Sequence, residues 1–369
     1  MNESLDSLQH RLMQLAAEGR PFAAYHLPDS DTVKLLIPRG GARAERSLAM
    51  LGSEPAFVAA PFDVRGGGDP VLVFATDTVE EYRIYNRGDE TGLSEVKIGV
   101  MPIKGRKGET RADYVDTFNN FYEALDGGRF DKLVLARRKT CVADVQRGLP
   151  VMMVRAVVRY PDAFTYLFST PHSGMWMGAT PEVLLSGDKY RRGTVALAGT
   201  RRHRHDGKNP VWDDKNVREQ GFVAAYVAAV LRDAGIDFVE EPARTLVAGR
   251  VEHLCSRFSF ADPDDFSLGR LVEKLHPTPA VCGLPKAEAQ QFILETEPLP
   301  RHYYAGFVGP VGTDGAADLF VNLRCLSAMK GEMCLYAGGG IVPGSRVTSE
   351  WQETENKMMT MADLLSPAK

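Results

Sequence analysis

Apolar residues along this chain fall into two periods. Near the N-terminus Leu5, Leu8, Leu12 and Leu15 recur three and four apart, and Gly19 closes the run, as in an amphipathic helix. The same spacing puts Tyr114, Phe118, Phe121 and Leu125 on one face of a second helix. Helical patterns also cover 150–160, 213–234, 285–295 and 349–365. Runs rich in Val, Phe, Leu, Tyr and Thr predict strands at 71–77, 132–143, 163–170, 182–187, 193–200, 305–312, 317–328 and 332–342. Several follow one another with no helix between. That favours an α+β class with large antiparallel sheets over regular β-α alternation. Turn chemistry concentrates at 61–70, where three glycines stand beside Pro and Asp, and at the basic stretch 101–110.

Composition narrows the function. Of 369 residues, 44% are hydrophobic and 25% charged, which excludes a disordered chain. At roughly 150 residues per domain the length allows one large domain or two to three small ones. Lys and Arg number 44 against 48 Asp and Glu, a formal charge of −4. That is too neutral for a protein whose affinity rests on phosphate neutralisation, so no nucleic-acid partner is expected. The cysteines stand at 141, 255, 282, 325 and 334, an odd count with no C-x-x-C pair. Neither a cysteine-based zinc site nor a disulfide framework follows, and reduced thiols suit a cytoplasmic protein. The N-terminus has no basic segment before an apolar run, and no stretch of about 18 apolar residues exists, so no membrane partner is expected.

The most informative residues are acids on greasy helical faces. In 213–234, Phe222, Val223, Tyr226, Ala229 and Val230 form an apolar stripe that Glu219 extends one turn earlier. Two readings stand: Glu219 reaches solvent and favours the helix dipole, or it is buried with a partner or a metal, since a lone buried carboxylate is costly. In the last helix Glu350, Glu353 and Lys357 share a face that Met361 and Leu364 continue. A solvated Glu353–Lys357 pair is the plain alternative there. Two such helices could bring Glu219 and Glu353 to one Mg²⁺, an ion that prefers hard oxygen ligands. The eight histidines show no H-x-x-x-H spacing, so zinc is not favoured.

Other signals are weaker. AGGGIVPGS (337–345) and LAGT (197–200) are either tight turns or places where bare backbone N–H groups hold an anion. Neither matches a phosphate-loop spacing. Arg324 lies in the apolar run 317–328, where it needs a structural ion pair or a ligand carboxylate. Lys132 opens the strand 132–143. It is either solvated, as strand-end lysines usually are, or desolvated beside positive charge, with a depressed pKa suited to a base.

Eight ordered blocks resemble the chorismate-utilising enzymes and, within them, the isochorismate synthases. They are FDKLVLARR (130–138), GATPEVLL (178–185), ALAGTRR (196–202), DKNVREQGFV (214–223), LHPTPAVCGLPKAEA (275–289), YYAGFVGPVG (303–312), LFVNLRCLSA (319–328) and LYAGGGIVPGSRVTSEWQETENKMM (335–359). Together they span roughly 115–365, about two thirds of the chain. The resemblance implies an α+β fold over 1–369 as a single large domain, with curved antiparallel-rich β-sheets surrounded by helices. In it 1–110 is the more variable N-terminal half and 111–369 carries the catalytic blocks. It implies Lys132 as the base that activates water and Glu182 as the general acid. Glu219, Glu353 and Glu350 are implied at Mg²⁺. Gly199, Thr200, His276, Tyr304, Arg324, Gly338, Gly340 and Lys357 are implied around the substrate, with Tyr304 and Arg324 at the enolpyruvyl carboxylate.

The implied reaction is the Mg²⁺-dependent, reversible conversion of chorismate to isochorismate, with water added at C2 and the C4 hydroxyl lost. His276, Pro277 and Pro279 in LHPTPAVCGLP favour water as nucleophile over ammonia, so no glutaminase subunit is expected. The product would feed menaquinone or siderophore synthesis. Two alternatives stand beside this: a salicylate synthase, which also eliminates pyruvate, and a non-catalytic anion-binding protein on the same fold. Against the last, Lys132 and Glu182 occur together, and a binder needs neither. Many relatives carry an acid where Asn216 stands and a histidine where Gln220 stands.

Overall fold

The computed structural model describes residues 4–66, 68–85, 97–202, 212–248 and 251–366. Its helices are α1 (Leu5–Ala17), α2 (Arg111–Asp126), α3 (Val145–Arg159), α4 (Asp214–Asp233), α5 (Leu268–Leu275), α6 (Lys286–Thr296) and α7 (Val347–Ala362). Seven strands precede α2: β1 (Phe22–His26), β2 (Thr32–Leu36), β3 (Arg43–Glu45), β4 (Ala56–Ala60), β5 (Val71–Ala75), β6 (Val79–Arg83) and β7 (Val100–Pro102). Five lie between α2 and α4: β8 (Lys132–Ala143), β9 (Phe164–Thr170), β10 (Gly174–Thr180), β11 (Val183–Gly187) and β12 (Arg192–Arg202). The rest are β13 (Phe238–Glu240), β14 (Arg244–Ala248), β15 (Val251–Phe260), β16 (Gly283–Leu284), β17 (Phe307–Val311), β18 (Ala317–Val321), β19 (Cys325–Met329) and β20 (Glu332–Ile341).

Among the described residues the strands form two ten-stranded sheets. One runs β16-β8-β20-β19-β10-β9-β1-β2-β6, with β7 on β8; the other runs β13-β15-β12-β11-β18-β17-β4-β5-β3, with β14 on β15. Every recorded pairing is antiparallel. The α+β class expected from the strand runs is therefore observed. Residues before 110 supply strands to both sheets.

Strand β1 shows why the first sheet is buried on both sides. Successive side chains point to opposite faces. Ala23 and Tyr25 join one core with Phe57, Phe164, Tyr166 and Phe168. Phe22 and Ala24 join another with Leu8, Leu12 and Leu15 of α1 and Met152 and Met153 of α3. A strand covered on both faces reads as a continuous apolar run. Phe164 stacks on Phe320 of β18 in the other sheet at 4.3 Å.

Two expectations change. The run 317–328 is not one strand: β18 belongs to the second sheet and β19 to the first, and the chain turns at Asn322–Arg324. Arg324 sits at that corner with φ +47°, a left-handed conformation uncommon outside glycine. The buried face of α4 is Val223, Ala224, Val227, Ala228 and Leu231. Phe222 is exposed, so the stripe is rotated by about one residue from the one expected. Helix α5 and strands β1–β4, β6, β7 and β13–β16 carried no assignment in the sequence reading.

Candidate active site

The site is built on β20 and its neighbour β8, where Gly340 lies opposite Val134 and Gly338 opposite Ala136. A Cβ on Gly340 would stand 3.1 Å from Glu219 Oε1 and 3.3 Å from Lys132 Cε. One on Gly338 would stand 2.9 Å from the Tyr304 hydroxyl. The two glycines thus clear one face of β20 for Lys132, Glu219 and Tyr304. Gly339 points the other way, and a Cβ there would stand 3.2 Å from Glu350 Oε2. Glu350 is buried, but across the strand from Lys132 and Glu219.

Helix α4 packs on β12 and carries Glu219 to Lys132. Lys132 Nζ lies 2.9 Å from Glu219 Oε1, with the lysine side chain 2% and the glutamate 17% exposed. The solvated lysine is therefore not found; the head is buried against a carboxylate. Helix α7 brings Lys357, whose Nζ donates to Gly338 O at 2.8 Å and pairs with Glu353 Oε1 at 2.5 Å.

Glu182 follows β10 and precedes β11. Burial pushes its carboxyl up to about 7, against the pull of Lys132, Lys357 and Arg324. Desolvation therefore outweighs three cations. Arg324 is held below the usual guanidinium range by burial, with Tyr304, Glu353 and Glu182 opposing. Tyr304 is buried, stacks on Tyr336 at 5.5 Å, and its hydroxyl is pushed up by desolvation.

The sequence reading missed His253 of β15. Its Nδ1 lies 3.2 Å from Gly199 O. Burial, then the Arg324 and Lys357 charges, push it down to about 4, so it is neutral at pH 7. Gly199 has φ +72° and interrupts the β12–β15 register between Ala198 and Thr200. A side chain there would also meet Asn216 Oδ1 at 3.1 Å. A histidine inside an apolar strand was the available signal, but only the pairing of β12 with β15 gives it a role.

His276 donates from Nε2 to Pro61 O at 3.0 Å and meets Phe307 edge-on at 5.2 Å. Burial pushes it down to about 3. The side chain of Thr200 lies outside the described residues. Asn216 donates from Nδ2 to Asp213 Oδ1 at 2.8 Å, and Gln220 from Nε2 to Ser256 Oγ at 2.9 Å. Asn216 is thus held at the start of α4 and Gln220 against β15.

A buried carboxyl pushed up to about 7 within electrostatic reach of a buried lysine, a guanidinium and a second lysine makes this cluster a candidate acid–base site. The sequence profile of the family described as chorismate binding enzyme matches residues 87–366, and the chain belongs to that family. Isochorismate synthase EntC of Escherichia coli K12 is 30% identical over 242 residues, which are 63% of this chain and 62% of that protein. Isochorismate synthase MenF of the same strain is 32% identical over 251 residues, 64% of this chain and 56% of that protein. The matched stretch covers less than two thirds of either relative's length. Among solved structures, the menaquinone-specific isochorismate synthase MenF of Escherichia coli superposes with a TM-score of 0.77 at 21% identity, covering 96% of this chain and 91% of that one. Anthranilate synthase component I from Streptococcus pneumoniae TIGR4 gives 0.72 at 18% identity, covering 92% of each chain. At those identities the structural likeness speaks to the fold.

Proposed function

We propose that the chain is an isochorismate synthase that interconverts chorismate and isochorismate. The observation that carries the reading is one arrangement: a buried lysine 2.9 Å from Glu219, and a buried Glu182 pushed up to about 7, within electrostatic reach of each other. The names of the matched relatives point the same way.

Water attacks C2 as the C4 hydroxyl departs and the ring double bonds shift. Lys132 acts as the neutral amine and accepts the proton that water loses, and Glu219, 2.9 Å away, faces the ammonium that results. Glu182 gives its proton to the leaving hydroxyl, which departs as water. One water enters and one leaves, so the product has the mass of chorismate. In the reverse direction the two residues exchange roles. Arg324 offers a planar fork for a carboxylate, Tyr304 a hydroxyl beside it, and Lys357 a second cation.

The protein's own carboxylates supply hard oxygen donors of the kind Mg²⁺ prefers, but not a complete set. Among the described residues no three acid, histidine or cysteine side chains converge on one point. Glu219 and Glu353 would hold the ion, leaving its remaining positions to water and a substrate carboxylate; Glu350 stands across β20 and would act behind them. Bound there, Mg²⁺ would stabilise negative charge on the ring carboxylate. With water as nucleophile the reaction needs no ammonia source, hence no glutaminase subunit. Five buried free cysteines suit a reducing cytoplasm, and among the described residues no helix is long and apolar enough to cross a membrane. The product would serve menaquinone or siderophore synthesis.

The test is product analysis by mass after incubation with chorismate, with and without EDTA. A metal-dependent isomer of unchanged mass, without pyruvate, is the expected result. Salicylate with pyruvate would move the reading to a salicylate synthase, and unchanged chorismate with Mg²⁺ present would overturn the enzymatic reading.

A further inference from the structure

The pair Glu297–Arg301 takes no part in the chemistry above, yet it touches the segments that carry it. Arg301 is 4% exposed. It donates to Glu297 from Nη2 at 2.6 Å and from Nε at 2.8 Å. Nη1 donates to Val281 O at 2.7 Å and Nη2 to Val134 O at 2.6 Å. Glu297 Oε1 also accepts the Ala136 N–H at 2.7 Å. The Phe62 ring lies 4.3 Å from the guanidinium, and Arg301 O accepts the Tyr304 N–H at 3.0 Å.

The reason lies at the edge of β8. Strand β16 pairs only with Lys132 and Leu133. Val134 N–H reaches Cys282 O, and β7 resumes the ladder at Cys141. Between them side chains do the work of a strand. Arg301 caps Val134 O, Glu297 takes Ala136 N–H, and Glu109 takes Thr140 N–H at 2.8 Å. Buried backbone groups need such partners. A buried ion pair adds little net stability over apolar residues of like volume, so stability alone is a poor reason for this one.

We propose that Glu297 and Arg301 are positioning residues, a side-chain surrogate for a missing strand. They hold the Lys132 strand, the 276–282 loop and Tyr304 in one fixed relation before substrate arrives. This rests on the reading of Lys132 and Tyr304 given under Proposed function.

The test is Glu297→Gln, Arg301→Lys and Arg301→Met, each assayed with chorismate for kcat and KM beside a thermal melt. Positioning raises KM and lowers kcat together, with kcat/KM down about 10- to 100-fold for Arg301→Met, the scale of an ångström of misplacement. Arg301→Lys keeps the charge and falls between Arg301→Met and wild type. Folded variants with wild-type KM, and kcat reduced only in proportion to the folded fraction, would overturn the proposal. Amide hydrogen exchange on the wild-type protein gives a second arm that needs no variant. Val134, Ala136 and Tyr304 are already protected without substrate and gain nothing when it binds; protection that arises only on binding would sink the idea. Wild-type protein that leaves chorismate unchanged defeats the functional reading instead, a result distinct from active variants.

Discussion

A carboxyl that titrates at about 7, as Glu182 does, is half protonated at neutral pH and can give up a proton there. As the general acid it works in its protonated form, so turnover declines as pH rises through about 7. Glu182→Gln abolishes turnover. The same residue carries a stability cost. Its folded pKa lies above the ordinary 4.5, so between about 4.5 and 7 the folded state binds more protons than the unfolded and stability falls as pH rises. Melts at pH 8 should find Glu182→Gln more stable by about 1–3 kcal/mol, and melts at pH 4.5 should find little difference. Glu219→Gln makes the companion prediction: Mg²⁺ affinity, by titration, and activity fall together. Normal turnover at ordinary Mg²⁺ would count against the metal assignment. Glu219 and Glu353 were legible as acids against apolar helical neighbours. Lys132 was not settled, because a lysine that opens a strand reads the same whether water or Glu219 surrounds its head.

At the scale of elements, the corner between β18 and β19 altered the reading most. Leu319–Ala328 reads as one apolar strand because both halves are buried. Nothing local announces that they belong to different sheets. The turn at Asn322–Arg324 is held by Asn322, which is fully buried, donates from Nδ2 to Tyr303 O at 2.8 Å and accepts from the Tyr166 hydroxyl at 2.5 Å. That places Arg324 at a junction of two sheets, where a guanidinium can face a ligand. Helix α5 shows the converse, an element stabilised from outside. Lys286 Nζ donates to Lys274 O and His276 O, each at 2.7 Å, and the Tyr226 hydroxyl donates to Lys274 O at 2.6 Å. These side chains satisfy carbonyls that a helix end leaves orphaned. Lys286→Met should therefore lower stability by about 0.5–1.5 kcal/mol, since it removes the bond to His276 O while Tyr226 still serves Lys274 O, as read by denaturant titration.

Over the whole molecule, burial sets the response to acid. His253 and His276 are held neutral, down to about 4 and about 3. A depressed histidine contributes stability that is present above its ordinary 6.5 and lost as pH falls, because the unfolded chain takes up protons first. Between about 6.5 and 4.5 the two histidines favour unfolding by two protons and Glu182 opposes by one. Among these three groups the net is one proton, so their joint contribution to stability should fall by about 1.4 kcal/mol per pH unit on acidification. His276→Asn removes one histidine from this balance and should flatten the slope over that window. Unchanged slopes in melts from pH 6.5 to 4.5 would contradict the assignment.

The N-terminal hundred residues carried no motif, and their place is a matter of pairing. Strand β1 inserts between β9 and β2, and β4 between β17 and β5. Such pairings join segments far apart in the chain, and a local hydrophobic pattern holds no information about the partner. Periodicity and residue type already specified the amphipathic helices, most of the long strands, the α+β class and the acids of α4 and α7, because those depend on neighbours a few residues away. Dehydration and encounter were decided only in three dimensions. The fold alone brings Lys132 to Glu219, raises Glu182, turns Glu350 to the far side of β20 and draws His253 to Gly199. Those outcomes depend on which surfaces lose water when two sheets and their helices close together.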